Sequence, residues 1–375
     1  MSGIYIHIPF CKQACHYCDF HFSTSKDLIE EMVDSICIEL KQRKDFLPKE
    51  TPVRTVYFGG GTPSLLSKSH LEKILETISK WYPLDLEEVT LEANPDDLST
   101  SSLESWKALG IDRLSIGIQT FNPEILKFYN RAHTAEESLK AIESAKSMGF
   151  EKLSVDLIYG FPSDSHDVWK RDLEIALTQN PGHISSYCLT VEPKTALGNW
   201  HKKGKYKAAS EDFAAEQFEI LMQSMEDAGY VQYEISNFGK PGQFALHNTN
   251  YWLGVPYLGI GPSAHSFDGK SRGSNIANNA QYIKKLKTGE SIYAKEILSD
   301  EDAANDYILT SLRTIWGTDL TYLKDNLGWD LADLKKDIFP MLRQEKLILE
   351  ETNKIILTQK GRLLADSIAE SLFLP

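Results

Sequence analysis

Cysteine is scarce in this chain, five residues among 375, and the count is odd. Such a number does not build the disulfide framework of a secreted protein. Long apolar runs are missing as well. No stretch approaches the ~18 consecutive apolar residues of a membrane span, and Met1 to Phe10 has neither the basic flank nor the apolar run of a signal peptide. The expected location is therefore the reducing cytoplasm, with no integral membrane segment. Positive charge is also short: Lys and Arg number 40 against 53 Asp and Glu, a formal charge of −13. That field recruits neither a phosphate backbone nor an anionic membrane, so nucleic acid is not an expected partner. With 42% hydrophobic and 25% charged residues the composition is that of an ordinary folded protein, and the length leaves room for two or three domains.

Short apolar runs alternate with longer helical patterns, the pattern of βαβ units. Six strands are expected, at Ile4 to Ile8, Arg54 to Phe58, Glu88 to Ala93, Arg113 to Ile118, Leu153 to Ile158 and Ile184 to Thr190, with helices between them at residues 27–44, 68–81, 101–109, 135–148 and 165–178. The fold class is α/β, and residues 1–208 read as a partial (β/α)6 barrel, TIM-like and open. Residues 209–295 follow as a linking helix (Ser210 to Ala228), a strand (Tyr230 to Ile235) and a Gly- and aromatic-rich region read as an ordered, loop-rich binding surface. Residues 296–375 read as a winged-helix-like α+β domain, with helices at 303–316, 320–326 and 331–344 and a hairpin at 347–357. The mixed charge of Leu331 to Lys346 argues against DNA binding there.

Three of the five cysteines, Cys11, Cys15 and Cys18, fall within eight residues just after the first strand. In a reducing compartment such a cluster holds metal or does redox chemistry. A structural zinc would want a fourth ligand, for which His16 and His21 are near enough to compete. A four-iron cubane on three cysteines instead leaves one iron open, as a catalytic centre requires. Spacing alone leaves both possibilities standing, but the loop lies at the C-terminal rim of the barrel, where barrel active sites are found. The second strand ends in Gly59-Gly60-Gly61-Thr62-Pro63, which lets backbone approach a ligand closely. Glu92, Gln119 and Asp156 are single polar residues at the ends of otherwise apolar strands, where a ligand, a helix cap or a rim hydrogen bond each accounts for such a residue. Cys37 and Cys188 read as buried small hydrophobes.

Cys11-x3-Cys15-x2-Cys18 with Tyr17, followed by Gly59 to Pro63, resembles the radical S-adenosylmethionine (SAM) superfamily. That resemblance implies a 4Fe-4S cluster on Cys11, Cys15 and Cys18, an open iron chelated by the amino and carboxylate groups of SAM, and cleavage of SAM to a 5'-deoxyadenosyl radical by the reduced cluster. Within the superfamily the chain is similar, almost end to end, to anaerobic coproporphyrinogen III oxidases and the related HemW-type haem chaperones. The likeness runs through Tyr5 to Phe20, Glu92-Ala93-Asn94-Pro95, Gln119 with Asn130-Arg131, Asp156 to Pro162, Glu234 to Phe238 and Leu357 to Arg362. It implies SAM contacts for Tyr5, Tyr17, Gly60, Gly61, Thr62, Glu92, Gln119, Arg131 and Asp156.

Where the two branches differ, the chain sides with the chaperones. Phe20 stands where the oxidases have a further cysteine, and the oxidases' N-terminal extension before the cysteine motif has no counterpart. His247-Asn248-Thr249-Asn250-Tyr251-Trp252 matches the chaperones' His-Asn-x-x-Tyr-Trp motif. The resemblance implies haem as a second ligand, with His247 axial and Tyr251 and Trp252 against the porphyrin. His265, in the glycine-rich run Gly259 to Ser266, is a weaker second candidate, for which turn chemistry is the alternative. It implies a haem-accepting protein as partner, and an electron donor if SAM is cleaved. The competing readings are oxidative decarboxylation of coproporphyrinogen III, another radical SAM reaction, and, for His247, a packed imidazole among core aromatics.

Overall fold

The computed structural model describes residues 1–374. Six strands pair in parallel and in chain order: β1 (Ser2–Ile8), β2 (Val53–Gly60), β3 (Leu84–Ala93), β4 (Arg113–Gln119), β5 (Lys152–Tyr159) and β6 (Gly182–Cys188). Each strand has two unlike faces. In β1, Ile4, Ile6 and Ile8 are at most 1% exposed in the main hydrophobic core, while Gly3, Tyr5 and His7 take the opposite side by the strand's two-residue period. The same alternation sets Val56, Leu91, Leu114, Ile116 and Val155 in that core and Thr55, Tyr57, Glu88, Thr90, Glu92, Arg113, Ser115 and Asp156 on the other side. The barrel is therefore apolar outside, under its helices, and polar within.

Those helices are held in place at their starts. Ser67, Ser99 and Thr134 each accept a hydrogen bond from a first-turn backbone N–H, and Ser67/His70 and Thr134/Glu137 form full capping boxes. A cap of this kind stabilises its helix by about 1 kcal/mol. The helices at Ile29–Gln42, Lys68–Trp81, Thr100–Ala108, Ala135–Ser147 and Asp167–Gln179 agree with the expected pattern.

The sheet does not stop at six strands. Beside β6 come β8 (Asn237–Gly239) and then β7 (Val231–Gln232), both antiparallel; beside β1 comes β9 (Tyr257–Ile260), parallel, followed by antiparallel β10 (His265–Phe267), β11 (Ser271–Asn275) and β12 (Tyr293–Ile297). Much of the region expected to be loops is therefore strand. The glycines misled, because some of them mark close strand approach rather than turns. A Cβ on Gly259 would lie 1.9 Å from the His265 carbonyl oxygen, and one on Gly273 2.3 Å from that of Ala294.

The C-terminal part has its own core, built from residues including Ile308, Leu312, Leu323, Phe339, Ile355 and Leu372, and Ile235 packs against both this core and the barrel's. Its three-stranded antiparallel sheet (Thr318–Asp319, Lys354–Leu357, Ile348–Glu351) and helices make a winged-helix-like arrangement. The single helix expected over 331–344 is two, Leu331–Leu334 and Ile338–Gln344. Restarting at Ile338 puts Pro340 in a first turn, where its missing N–H is harmless. Cys188, expected to be buried, is exposed at the end of β6. Among the described residues no helix is long and apolar enough to cross a membrane.

Candidate functional site

The cysteine loop leaves the C-terminal end of β1 and is tied down on every side. Cys11 N–H donates to the Ser23 carbonyl (3.0 Å) and Ser23 N–H to that of Pro9 (2.9 Å). His7 donates from Nε2 to the His21 carbonyl at 2.9 Å, Asn130 donates to that of Ala14 at 2.9 Å, and Lys12 pairs with Asp96 and Asp97. So anchored, the loop presents three half-buried thiols. Burial pushes Cys11 up to about 11 and Cys18 up to about 12, and the neighbouring thiols push in the same direction. Such thiols ionise only beside a strong cationic centre.

A closed zinc site is not what they build. His16 donates from Nδ1 to the Phe128 carbonyl (2.7 Å) and packs edge-on against Trp200, while His21 donates from Nε2 to Asn279 Oδ1 (2.7 Å). Among the described residues no three Cys, His, Asp or Glu side chains converge on a single ion. A cubane with one thiolate per iron spreads its ligands wider, and the donor set of three thiols fits it.

Around the loop, the other strand ends form a polar bowl. Arg131 donates to Cys15 Sγ (3.4 Å), Asn94 Oδ1 (2.7 Å) and the Gly117 carbonyl (2.7 Å), and its Nε is buried without a partner. Glu92 accepts from the Tyr57 hydroxyl (2.7 Å) and from Gly60 N–H (3.1 Å). Burial raises Glu92 to about 7, with Asp156 adding and the two donors opposing. Asp156 is raised to about 6 by burial, against the Ser185 and Ser115 hydroxyls, the latter at 3.1 Å. Gln119 sits at a register shift with φ of 72°, a left-handed conformation that a non-glycine residue adopts at some strain. Gly60, at φ of 105°, has no room for a Cβ, which would strike the His7 ring at 2.5 Å. Thr62 is buried and its N–H reaches back to the Phe10 carbonyl at 2.7 Å. Tyr5 donates to His7 Nδ1 (3.2 Å), and Tyr17 packs edge-on against Tyr129 at 5.0 Å. Most of the expected SAM residues thus gather toward the C-terminal ends of the strands, beside the thiols, while Tyr5 lies midway along β1.

The His247 motif lies elsewhere, at the opposite end of the barrel. The helix Leu246–Trp252 caps the N-terminal ends of β1 and β2. His247 is 2% exposed; its Nδ1 is bonded to Thr55 Oγ1 and its Nε2 to the Tyr251 hydroxyl, each at 2.8 Å. Burial lowers it to about 3, so it is neutral. The Trp252 ring lies under the Arg313 guanidinium, 5.6 Å from its centroid. With the helix seated, both ring nitrogens of His247 are therefore taken by protein hydrogen bonds. His265, by contrast, is exposed on β10.

Sequence reasoning passed over Tyr57, Thr55, Glu88 and Arg113. The alternation of β2, β3 and β4 placed them on the inner face, but Tyr and Thr suit any strand, so nothing set them apart.

A family model described as the Radical SAM superfamily matches residues 5–175. Heme chaperone HemW of Bacillus subtilis (strain 168) is 33% identical over 374 residues, covering 98% of each chain. The chain belongs to the HemW family. HemW of Lactococcus lactis subsp. lactis (strain IL1403) is likewise 33% identical, over 100% of this chain and 97% of its own. Among solved structures, the coproporphyrinogen III oxidase HemN of Escherichia coli, described as a radical SAM enzyme, has the same fold. Its TM-score is 0.84 at 22% identity, over 99% of this chain and 90% of that one. The HemW family thus shares an architecture with an oxidase, and the fold alone does not separate chaperone from enzyme.

Proposed function

We propose that this chain is a cytoplasmic haem chaperone on a radical SAM scaffold, which binds haem and passes it to haem-accepting proteins. Cys11, Cys15 and Cys18 hold a 4Fe-4S cluster. Arg131, beside Cys15, takes the SAM carboxylate; Glu92 and Asp156 accept from its ammonium or ribose hydroxyls; and the backbone at Gly60, Gly61 and Thr62, with Tyr5, Tyr17 and Gln119, closes the bowl. A cluster held there would supply single electrons to the sulfonium of SAM, and if SAM is cleaved an external electron donor must first reduce it. In this reading His247, Tyr251 and Trp252 reach haem only when the Leu246–Trp252 helix withdraws from the barrel end.

The observation that carries the chaperone reading over the oxidase is Phe20. Its apolar ring is 68% exposed on the cysteine loop, where the oxidase pattern has a cysteine. The names of the full-length relatives support the same reading. Anaerobic reconstitution with SAM, followed by separate addition of haem and of coproporphyrinogen III, tests it. Stoichiometric haem uptake without porphyrinogen turnover is expected; formation of protoporphyrinogen IX would overturn it.

A further inference from the structure

Tyr57 joins the two ends of the barrel interior. Its hydroxyl holds Glu92 Oε1 at 2.7 Å, among the strand ends. Its ring stacks on His247 at the barrel's other end, with centroids 5.0 Å apart and planes at 26°, and on Tyr5 at 5.9 Å and 29°. Tyr5 and His247 are themselves stacked at 6.5 Å and 29°. The three near-parallel rings, each in contact with the other two, therefore form one short, close-packed column between the Leu246–Trp252 helix and the bowl.

Two glycines show how tightly both ends of this column are fitted. A Cβ on Gly59 would meet the Tyr57 ring at 2.8 Å, Glu92 Oε1 at 2.9 Å and the Tyr5 ring at 3.0 Å. One on Gly3 would meet Thr55 Oγ1 at 2.8 Å and His247 Cε1 at 3.2 Å. The lower end is fixed to the scaffold. Glu88 accepts from the backbone N–H groups of Leu246 (3.0 Å) and His247 (2.9 Å), and Arg113 donates to Glu88 at 2.8 Å and to the carbonyls of Gln243 and Phe244. In the ring plane, Thr55 and Tyr251 hold both nitrogens of His247.

We infer that His247 is a positioning residue for the SAM site, acting through the Tyr57 ring on the Glu92 carboxylate. The inference rests on the reading of Glu92 as a SAM contact. A close-packed imidazole beneath Tyr57 leaves that ring a single tilt, and the tilt decides whether its hydroxyl reaches Glu92. Remove the imidazole and the ring gains a cavity to fall into. Glu92 then loses one of its two donors and presents its oxygens to the ligand in a different direction.

The test uses the full chain, anaerobically reconstituted with iron and sulfide and without haem. SAM affinity is read by equilibrium dialysis and by the change that SAM causes in the electron paramagnetic resonance of the reduced cluster. His247→Ala and Tyr57→Phe are each expected to weaken SAM by about tenfold, with the double variant no worse than either single one, because both act on one carboxylate. His247→Gln, whose planar amide can keep both hydrogen bonds, is expected to restore most of the affinity. Losses that add in the double variant, or a His247→Ala affinity within about twofold of wild type, overturn the inference. If His247→Ala does not fold, Thr55→Val and Tyr251→Phe each remove one bond to the ring; a loss of about threefold supports the inference and no loss overturns it. Glu92→Gln separates the two layers. Should it leave SAM binding intact, the reading of Glu92 falls and the inference with it; should it abolish binding while the column variants do nothing, only the coupling falls.

Discussion

Glu92 shows what one buried carboxylate does to both stability and binding. Its value of about 7 in the fold lies above the ordinary 4.5 because burial disfavours its charge. Between those two values the folded chain binds more protons than the unfolded one, so its contribution to stability is full below about pH 4.5 and is lost as pH rises through 7. Asp156, raised from 3.8 to about 6, acts in the same direction. Replacing Glu92 by Gln keeps the shape and removes the charge. At pH 8 the ligand-free variant is expected to gain stability on the order of 2 kcal/mol in urea unfolding, with no gain at pH 4.5. The same substitution is expected to weaken SAM by at least about tenfold, so the bowl gives up stability for function. Much of this was legible at single residues: the three cysteines and the lone polar groups at strand ends have no good packing explanation. Tyr57 was not legible, because only the fold shows that its ring lies on His247 and its hydroxyl on Glu92.

At the scale of elements, the Leu246–Trp252 helix is held by a charge pair that is almost wholly buried. The side chains of Glu88 and Arg113 are each 2% exposed. Breaking such a pair from one side leaves a buried charge alone, so Arg113→Met is expected to lose about 3–5 kcal/mol in urea unfolding. Adding Glu88→Gln should recover a substantial part of that loss, and a double variant as unstable as the single one would contradict the account. The parallel strands and their capped helices could be read in advance because Ser67, Ser99 and Thr134 mark helix starts and the apolar runs have strand length. Strand β7 falls within the expected strand Tyr230 to Ile235, but β8 to β12 could not be read. They are short, and Gly259 and Gly273 are required by backbones meeting across the sheet, a contact that no local pattern records. The His-Asn-x-x-Tyr-Trp motif was recognised, but its place at the barrel's N-terminal end depends on Glu88 and Arg113, more than 130 residues away in the chain.

The barrel core and the C-terminal core share Ile235, with Arg362 to Gln232 (2.6 Å) and Gln359 to Glu226 (3.1 Å) also crossing between them. Ile235→Ala is expected to loosen the joint more than either core. Urea unfolding followed by circular dichroism should then broaden or split into two steps relative to the unsubstituted chain, whereas an unchanged single transition would contradict a shared joint. At one rim of the barrel three thiols lie beside a bowl of carboxylates and Arg131. The most direct test is electron paramagnetic resonance of the reconstituted, reduced protein with and without SAM. The account predicts a 4Fe-4S signal from a chain carrying about four irons, altered by SAM and absent in Cys15→Ala. A chain that takes up one zinc instead, or a cluster whose signal is indifferent to SAM, would contradict it.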